Sequence, residues 1–234
     1  MSFDDERRWI EIEAGRNIWS YNKSSSTFFP MRMIALKLND GSILVYSPVP
    51  SPEGDCLKQL AQFGTVKFLL APNYFHNLGL RPFLEHFPGS QVVASRQAIS
   101  RLKKVTGVTA APTAVIADKL PTGVSVIEPE GLKTGEIWLT ANLKLGCAWI
   151  LCDAFFNINK VPTTPFGFSL RLGGTAPGLR VSRVFRLIGI KDKSVYRKWL
   201  ADRAGIDQPK LIIPSHGEIL ELADLSRRLT QLVG

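Results

Sequence analysis

Two histidines and one aspartate carry the chemistry this sequence offers. His76 follows the apolar run Val66–Leu70, in the stretch Leu69-Leu70-Ala71-Pro72-Asn73-Tyr74-Phe75-His76. Asp153 follows Trp149-Ile150-Leu151-Cys152, and His216 follows Leu211-Ile212-Ile213-Pro214-Ser215. Layered α/β proteins build their sites where strands end. Two imidazoles and one carboxylate are a ligand set for zinc or iron, with positions left open for water or substrate. An ion held there would lower the pKa of a bound water and supply a nucleophile near neutral pH. Each residue taken alone is ordinary. A lone histidine at a strand end is more often a hydrogen-bonded structural group, and an aspartate after a strand is often a helix cap. The combination is what points to a site. The third histidine of the chain, His86 in Glu85-His86-Phe87-Pro88, reads as a helix-end residue.

The elements that must position these residues can be read from pattern. Met31–Leu38 and Ser42–Tyr46 flank Asn39-Asp40-Gly41, a tight-turn signal, and predict a β-hairpin that Ser47-Pro48-Val49-Pro50 breaks. A helix is expected over 51–63, with Ser51 as N-cap, Pro52 in the first turn and Gly64 as terminator. Val66–Leu70 reads as a short buried strand. Leu80–Phe87 reads as a helix, Gln91–Ala94 as a strand, and Ser95 as the cap of a basic helix through Lys104. Residues 105–123 carry little pattern and read as a connecting loop. Strands are expected at Val124–Ile127, Glu136–Thr140, Trp149–Cys152 and Leu211–Ile213. Phe155–Arg180, rich in glycine and proline, reads as a long irregular loop. Helices are expected at Val181–Ile190, Ser194–Ala204 and Ile219–Leu232.

Composition narrows the function classes. A hydrophobic share of 45% and a charged share of 21% over 234 residues suit a folded protein with a sizeable core. No apolar run reaches the ~18 residues needed to span a bilayer. Met1–Glu6 is acidic and polar, unlike a signal peptide, and the reading is a soluble, cytoplasmic protein. Cys56, Cys147 and Cys152 form no Cys-x-x-Cys pair and read as free thiols. There is no G-x-G-x-x-G after a strand, no Walker sequence and no G-x-S-x-G elbow. The net charge of +9 gathers in Arg96–Lys104 and Arg180–Lys198. That suits an anionic partner, nucleic acid included, or simply a solvated basic face. The face is favoured, because no RNA-binding or zinc-finger motif accompanies the charges.

The order of these features resembles the metallo-β-lactamase fold superfamily. "VYSPVP", "LLAPNYFH", "WILCDAFFN" and "PSHG" are similar to an uncharacterised branch of it, a domain-of-unknown-function family. The resemblance runs from Trp19 to the C-terminus. It implies one domain over 1–234, with 1–16 as an N-terminal extension. The implied fold is an α/β (α+β) αββα sandwich of two mixed β-sheets flanked by helices. The superfamily's metal motif is H-x-H-x-D-H at the end of a strand. With His76 on its last position, Ala71, Asn73 and Phe75 fall on the other three ligand positions. The mid-chain histidine of the superfamily has no counterpart, since residues 87–215 contain none. Asp153 matches the bridging aspartate and His216 the final histidine. Ser47-Pro48 stands where an early-strand aspartate is usual. The first metal position of a binuclear site has thus lost its histidines. The second keeps His76, Asp153 and His216 and lacks its own aspartate.

Three readings follow. One is a hydrolase of an ester, amide or phosphoester with a single zinc or iron ion on His76, Asp153 and His216. Asn73 or Tyr74 would then orient a small, anionic substrate at the pocket mouth. The second is a non-catalytic binding or scaffold protein that has lost the metal, with His76 and His216 hydrogen-bonded on either side of Asp153. The third is a nucleic-acid-binding or nuclease-like protein, which requires the two basic stretches to converge beside His76. Substrate and oligomeric state are not legible.

Overall fold

The structure is a computed structural model that describes residues 8–23, 30–52 and 54–234. The acidic N-terminus and the first seven residues of the expected extension lie outside the described residues. The first half runs β1 (Trp9–Glu11), β2 (Ile18–Lys23), β3 (Met31–Lys37), β4 (Ile43–Tyr46), α1 (Gly54–Phe63), β5 (Val66–Leu70), α2 (Leu80–His86), β6 (Gln91–Ala94), α3 (Arg96–Thr106) and β7 (Ala110–Pro112). The second half runs β8 (Val124–Ile127), β9 (Trp138–Leu143), β10 (Gly146–Leu151), β11 (Phe156–Ile158), α4 (Pro165–Leu172), β12 (Gly178–Arg180), α5 (Lys193–Asp207), β13 (Leu211–Pro214), β14 (Leu220–Glu221) and α6 (Leu225–Val233).

Strands β1 to β7 form a seven-stranded sheet in chain order. Its first half is antiparallel, and β4, β5, β6 and β7 are parallel. The second sheet has the order β14-β13-β10-β9-β8, with β10 and β13 its parallel pair. Both sheets are mixed, as expected.

Period-two patterning explains the layering. In β3, Ile34 and Leu36 face the second sheet while Met33 and Ala35 face the helices. In β4, Leu44 and Tyr46 face inward, and Ile43 and Val45 outward. Leu139, Ala141, Ala148, Ile150 and Ile213 answer them from the second sheet. The outer face of the first sheet packs on α1, α2 and α3 through Leu60, Phe83 and Leu102. That of the second packs on α5 and α6 through Trp138, Trp149, Leu200 and Leu229. The result is the expected αββα sandwich. Truncating a residue of the central layer such as Leu70, which is fully buried, to alanine should cost about 2–5 kcal/mol.

Several local expectations need correction. Helix α1 begins at Gly54, and Ser51 has a φ of +50°, so Ser51 is not its cap. The stretch 105–123 holds β7 and a 3₁₀ segment, Thr113–Lys119. Three residues ending in proline at a sheet edge leave no periodicity to read. Phe155–Arg180 is not irregular throughout, because β11, α4 and β12 lie within it. Thr164 caps α4, accepting the Gly167 N–H, with Pro165 at the first position. Val181–Ile190 contains a π-helical segment, Phe185–Gly189. Ile219–Leu232 divides into β14 and α6. Ser95 does cap α3, and the three cysteines are free thiols. Among the described residues, no helix is long and apolar enough to cross a membrane.

Candidate metal centre

The two parallel strand pairs aim their C-terminal ends at one edge of the sandwich. Tyr46 pairs with Leu70, so Ser47 and Ala71 leave the first sheet side by side. Leu151 pairs with Pro214, so Cys152 and Ser215 leave the second sheet together. The loops that follow carry His76, Asp153 and His216. The three residues far apart in the sequence therefore meet.

His76 Nε2 and His216 Nε2 are 3.0 Å apart. Asp153 Oδ1 lies 3.2 Å from His216 Nε2 and 3.5 Å from His76 Nε2. Their side chains are only 7%, 17% and 6% exposed, in the order His76, Asp153, His216. A triangle with these sides has a circumradius of about 1.9 Å, so one centre can bond all three atoms at the ~2.0–2.2 Å usual for zinc. By size and donor chemistry, the three residues could hold a metal ion.

Each ligand atom is oriented from behind. His216 Nδ1 lies 2.9 Å from the Pro30 carbonyl oxygen, an acceptor only, which assigns the proton to Nδ1 and leaves Nε2 a lone pair. The ring stacks on Phe156 at 5.1 Å. His76 Nδ1 lies 3.0 Å from Ser47 Oγ, a hydroxyl that can donate or accept. Ser47 is fully buried and has a φ of +57°. Asp153 Oδ2 accepts the Asn73 amide at 2.8 Å. Burial alone would raise the Asp153 carboxyl, but His76 and His216 outweigh it and hold the group well below the usual carboxylate range.

Asn73 and Tyr74 take other positions than the expected pocket mouth. Asn73 is fully buried. Its Nδ2 holds Asp153, while its Oδ1 accepts the backbone N–H of Phe75 and of His76. Tyr74 lies under the Arg101 guanidinium, 4.4 Å from ring centre, and is not among the residues lining the cavity. His86 sits in the last turn of α2.

Two supporting residues escaped sequence reasoning. Arg32 crosses from the first sheet to the second, donating from one guanidinium nitrogen to the carbonyls of Pro214 and Gly217 at 2.7 and 2.8 Å. Its backbone N–H donates to Ser215 O at 2.7 Å, so it pins the loop that carries His216. Burial pulls it down to about 9, with Glu218 opposing, so it stays charged at neutral pH. The signal was a charge inside an apolar strand. Glu136 Oε1 accepts Trp138 Nε1–H at 2.8 Å and the N–H groups of Ala154 and Cys152 at 3.1 and 3.3 Å, on either side of Asp153. Burial, and then the charge of Asp153, push its carboxyl up to about 8. No sequence signal marked it out from a strand residue.

The three ligand residues form part of the wall of a cavity of about 430 Å³. Comparison with known proteins agrees with this architecture. The family model described as "Domain of unknown function (DUF4336)" matches residues 16–108. No curated protein matches the sequence. A metallo-beta-lactamase from Pontibacter korlensis superposes with a TM-score of 0.64 at 13% identity, covering 97% of this chain and 98% of that one. The metallo-beta-lactamase FIM-1 from Pseudomonas aeruginosa, in its mono-zinc form, gives 0.62 at 11% identity, covering 99% and 97%. The metal-soaked Flv1 flavodiiron core from Synechocystis sp. PCC6803 gives 0.61 at 11% identity, covering 97% of this chain and 61% of that one. Identities this low carry the fold and not the activity. The chain has the metallo-β-lactamase fold with a degenerate metal motif, and its residues 16–108 match a family of unknown function.

Proposed function

We propose that the protein is a hydrolase of an ester, amide or phosphoester, built on a single metal ion held by His76, Asp153 and His216. The observation that carries the reading is the triangle of 3.0, 3.2 and 3.5 Å between their ligand atoms on the wall of an open cavity. Two nitrogens and one oxygen suit zinc or iron. Bound there, such an ion supplies a water of lowered pKa and polarises a substrate oxygen.

The residues of the chain do the rest. Asn73 turns Asp153 so that Oδ1 faces the histidines. The Pro30 carbonyl keeps the His216 lone pair aimed at the same point. Ser47 satisfies either tautomer of His76. The remaining polar side chains on the cavity wall are the hydroxyls of Thr134, Thr175 and Ser182, which can orient a carbonyl but are weak bases. In the reaction the water oxygen bonds to the acyl carbon or phosphorus as the bond to the leaving oxygen or nitrogen breaks. One water proton ends on the leaving group and the other on the acid released.

Metal content and turnover measured together test this. One equivalent of metal, with hydrolysis lost in His216→Ala and on chelation, supports it. Turnover indifferent to chelator overturns it.

A second reading, the metal-free binding or scaffold protein, has one observation of its own. With Ser47 donating to His76 Nδ1, His76 Nε2–H can donate to His216 Nε2 at 3.0 Å, and His216 Nδ1–H to Pro30 O. Every proton is placed without an ion. Under that reading His216→Ala lowers stability equally with and without chelator.

A further inference from the structure

The wall of the cavity around the three ligand groups is apolar. Met31, Phe75, Leu78, Phe156, Val184 and Ile188 make up much of it. Among the described residues that line it there is no lysine or arginine. Arg101 stands outside the lining, its guanidinium carbon 5.9 Å from the centre of the Phe75 ring. Four of the lining residues are also exposed to solvent: Phe75 by 41%, Leu78 by 72%, Val184 by 54% and Ile188 by 42%. Large apolar side chains left open around a concave site mark a surface that gains by being covered. Apart from an ion on the three ligand groups, no lysine or arginine of the lining would pair with an anionic phosphoester.

We propose that the cavity binds the aliphatic chain of an uncharged carboxylic ester, with the ester carbonyl at His76, Asp153 and His216. The chain lies along Phe75, Leu78, Val184 and Ile188. Its hydrolysis adds the water oxygen to the carbonyl carbon, breaks the bond to the alkoxy oxygen, and releases an alcohol and a carboxylic acid. The chemistry rests on the metal-hydrolase reading; the binding preference does not.

Two measurements separate them. The first is the hydrolysis of 4-nitrophenyl acetate against 4-nitrophenyl octanoate. The second is calorimetric binding of two uncleaved neutral amides, N-methylacetamide and N-methyloctanamide, to the same protein after chelation. Burying a methylene contributes up to ~4-fold in affinity. The octanoyl probe should therefore bind at least ~30-fold more tightly than the acetyl probe, allowing for partial burial. The octanoate ester should be preferred to the same extent in kcat/KM. Val184→Asp and Leu78→Asp, both at exposed positions, should each cut that preference at least ~5-fold. Chain-length-dependent binding without turnover of either ester supports the apolar site and sinks the ester hydrolysis. Turnover with no chain preference, or a preference untouched by both variants, overturns the proposal and leaves the hydrolase standing.

Discussion

Asn73 donates its amide to Asp153 Oδ2 at 2.8 Å, and this turns the other carboxylate oxygen toward His76 and His216. Asn73 occupies a position where the superfamily's motif has a metal-binding histidine. Here the side chain hydrogen-bonds Asp153 and the backbone N–H groups of Phe75 and His76. It orients one of the three groups whose ligand atoms converge.

Removing that support should loosen the centre. Asn73→Ala frees Asp153 and strips the Phe75 and His76 N–H groups of their acceptor. Loss of an outer partner typically lowers metal affinity ~10–100-fold. The variant should also lose about 1–3 kcal/mol of stability for the buried groups left unpaired. Competition with a coloured zinc chelator and urea unfolding measure the two effects. Wild-type affinity in Asn73→Ala would show that Asp153 needs no such anchor.

Glu136 gives a pH dependence with a definite sign. Its carboxyl is raised from 4.5 to about 8 in the folded protein, so between these values the folded state keeps a proton that the unfolded chain releases. The folded state binds more protons, and stability falls as pH rises through this window, by up to ~1.4 kcal/mol per pH unit. Glu136→Gln keeps an acceptor for the three N–H donors and removes the titration. Unfolding free energies at pH 5, 6.5 and 8 should slope downward in the wild type and more weakly in the variant. Parallel slopes would mean that Glu136 is ionised throughout.

Gly217 tests how tightly the His216 loop is held. Its φ is +101°, and a Cβ there would lie 2.0 Å from the Asn157 carbonyl oxygen. Neither the backbone conformation nor the neighbouring backbone can accommodate alanine cheaply. Gly217→Ala should cost about 2–4 kcal/mol and weaken metal binding, because the neighbouring imidazole must shift with the loop. Thermal unfolding with and without zinc checks both parts.

Much of the fold could be read from strand ends. The hairpin β3–β4 and the strands β5, β6 and β13 announced themselves by apolar runs between turn residues. His76, Asp153 and His216 stood out because each closes such a run. What stayed hidden was what depends on the other half of the chain. Asn73 looked free to meet substrate because nothing local shows that Asp153, 80 residues away, takes its amide. Ser47 gave no hint of its φ of +57° or of its hydroxyl beside His76. Arg32 was visible as a charge in an apolar strand, but its partners, Pro214 at the end of β13 and Gly217 in the loop after it, lie more than 180 residues further on. Helix α4 was masked by the glycines and prolines around it, although Thr164-Pro165 is a standard start.

The central claim is a single metal on three residues, and a zinc titration of chelator-treated protein tests it most directly. The wild type should take up one equivalent, and His76→Ala and His216→Ala should each lose most of that uptake while remaining folded by circular dichroism. Uptake below about a tenth of an equivalent in the wild type, with zinc, iron and manganese alike, would contradict a metal centre, because an engaged three-ligand site retains its ion.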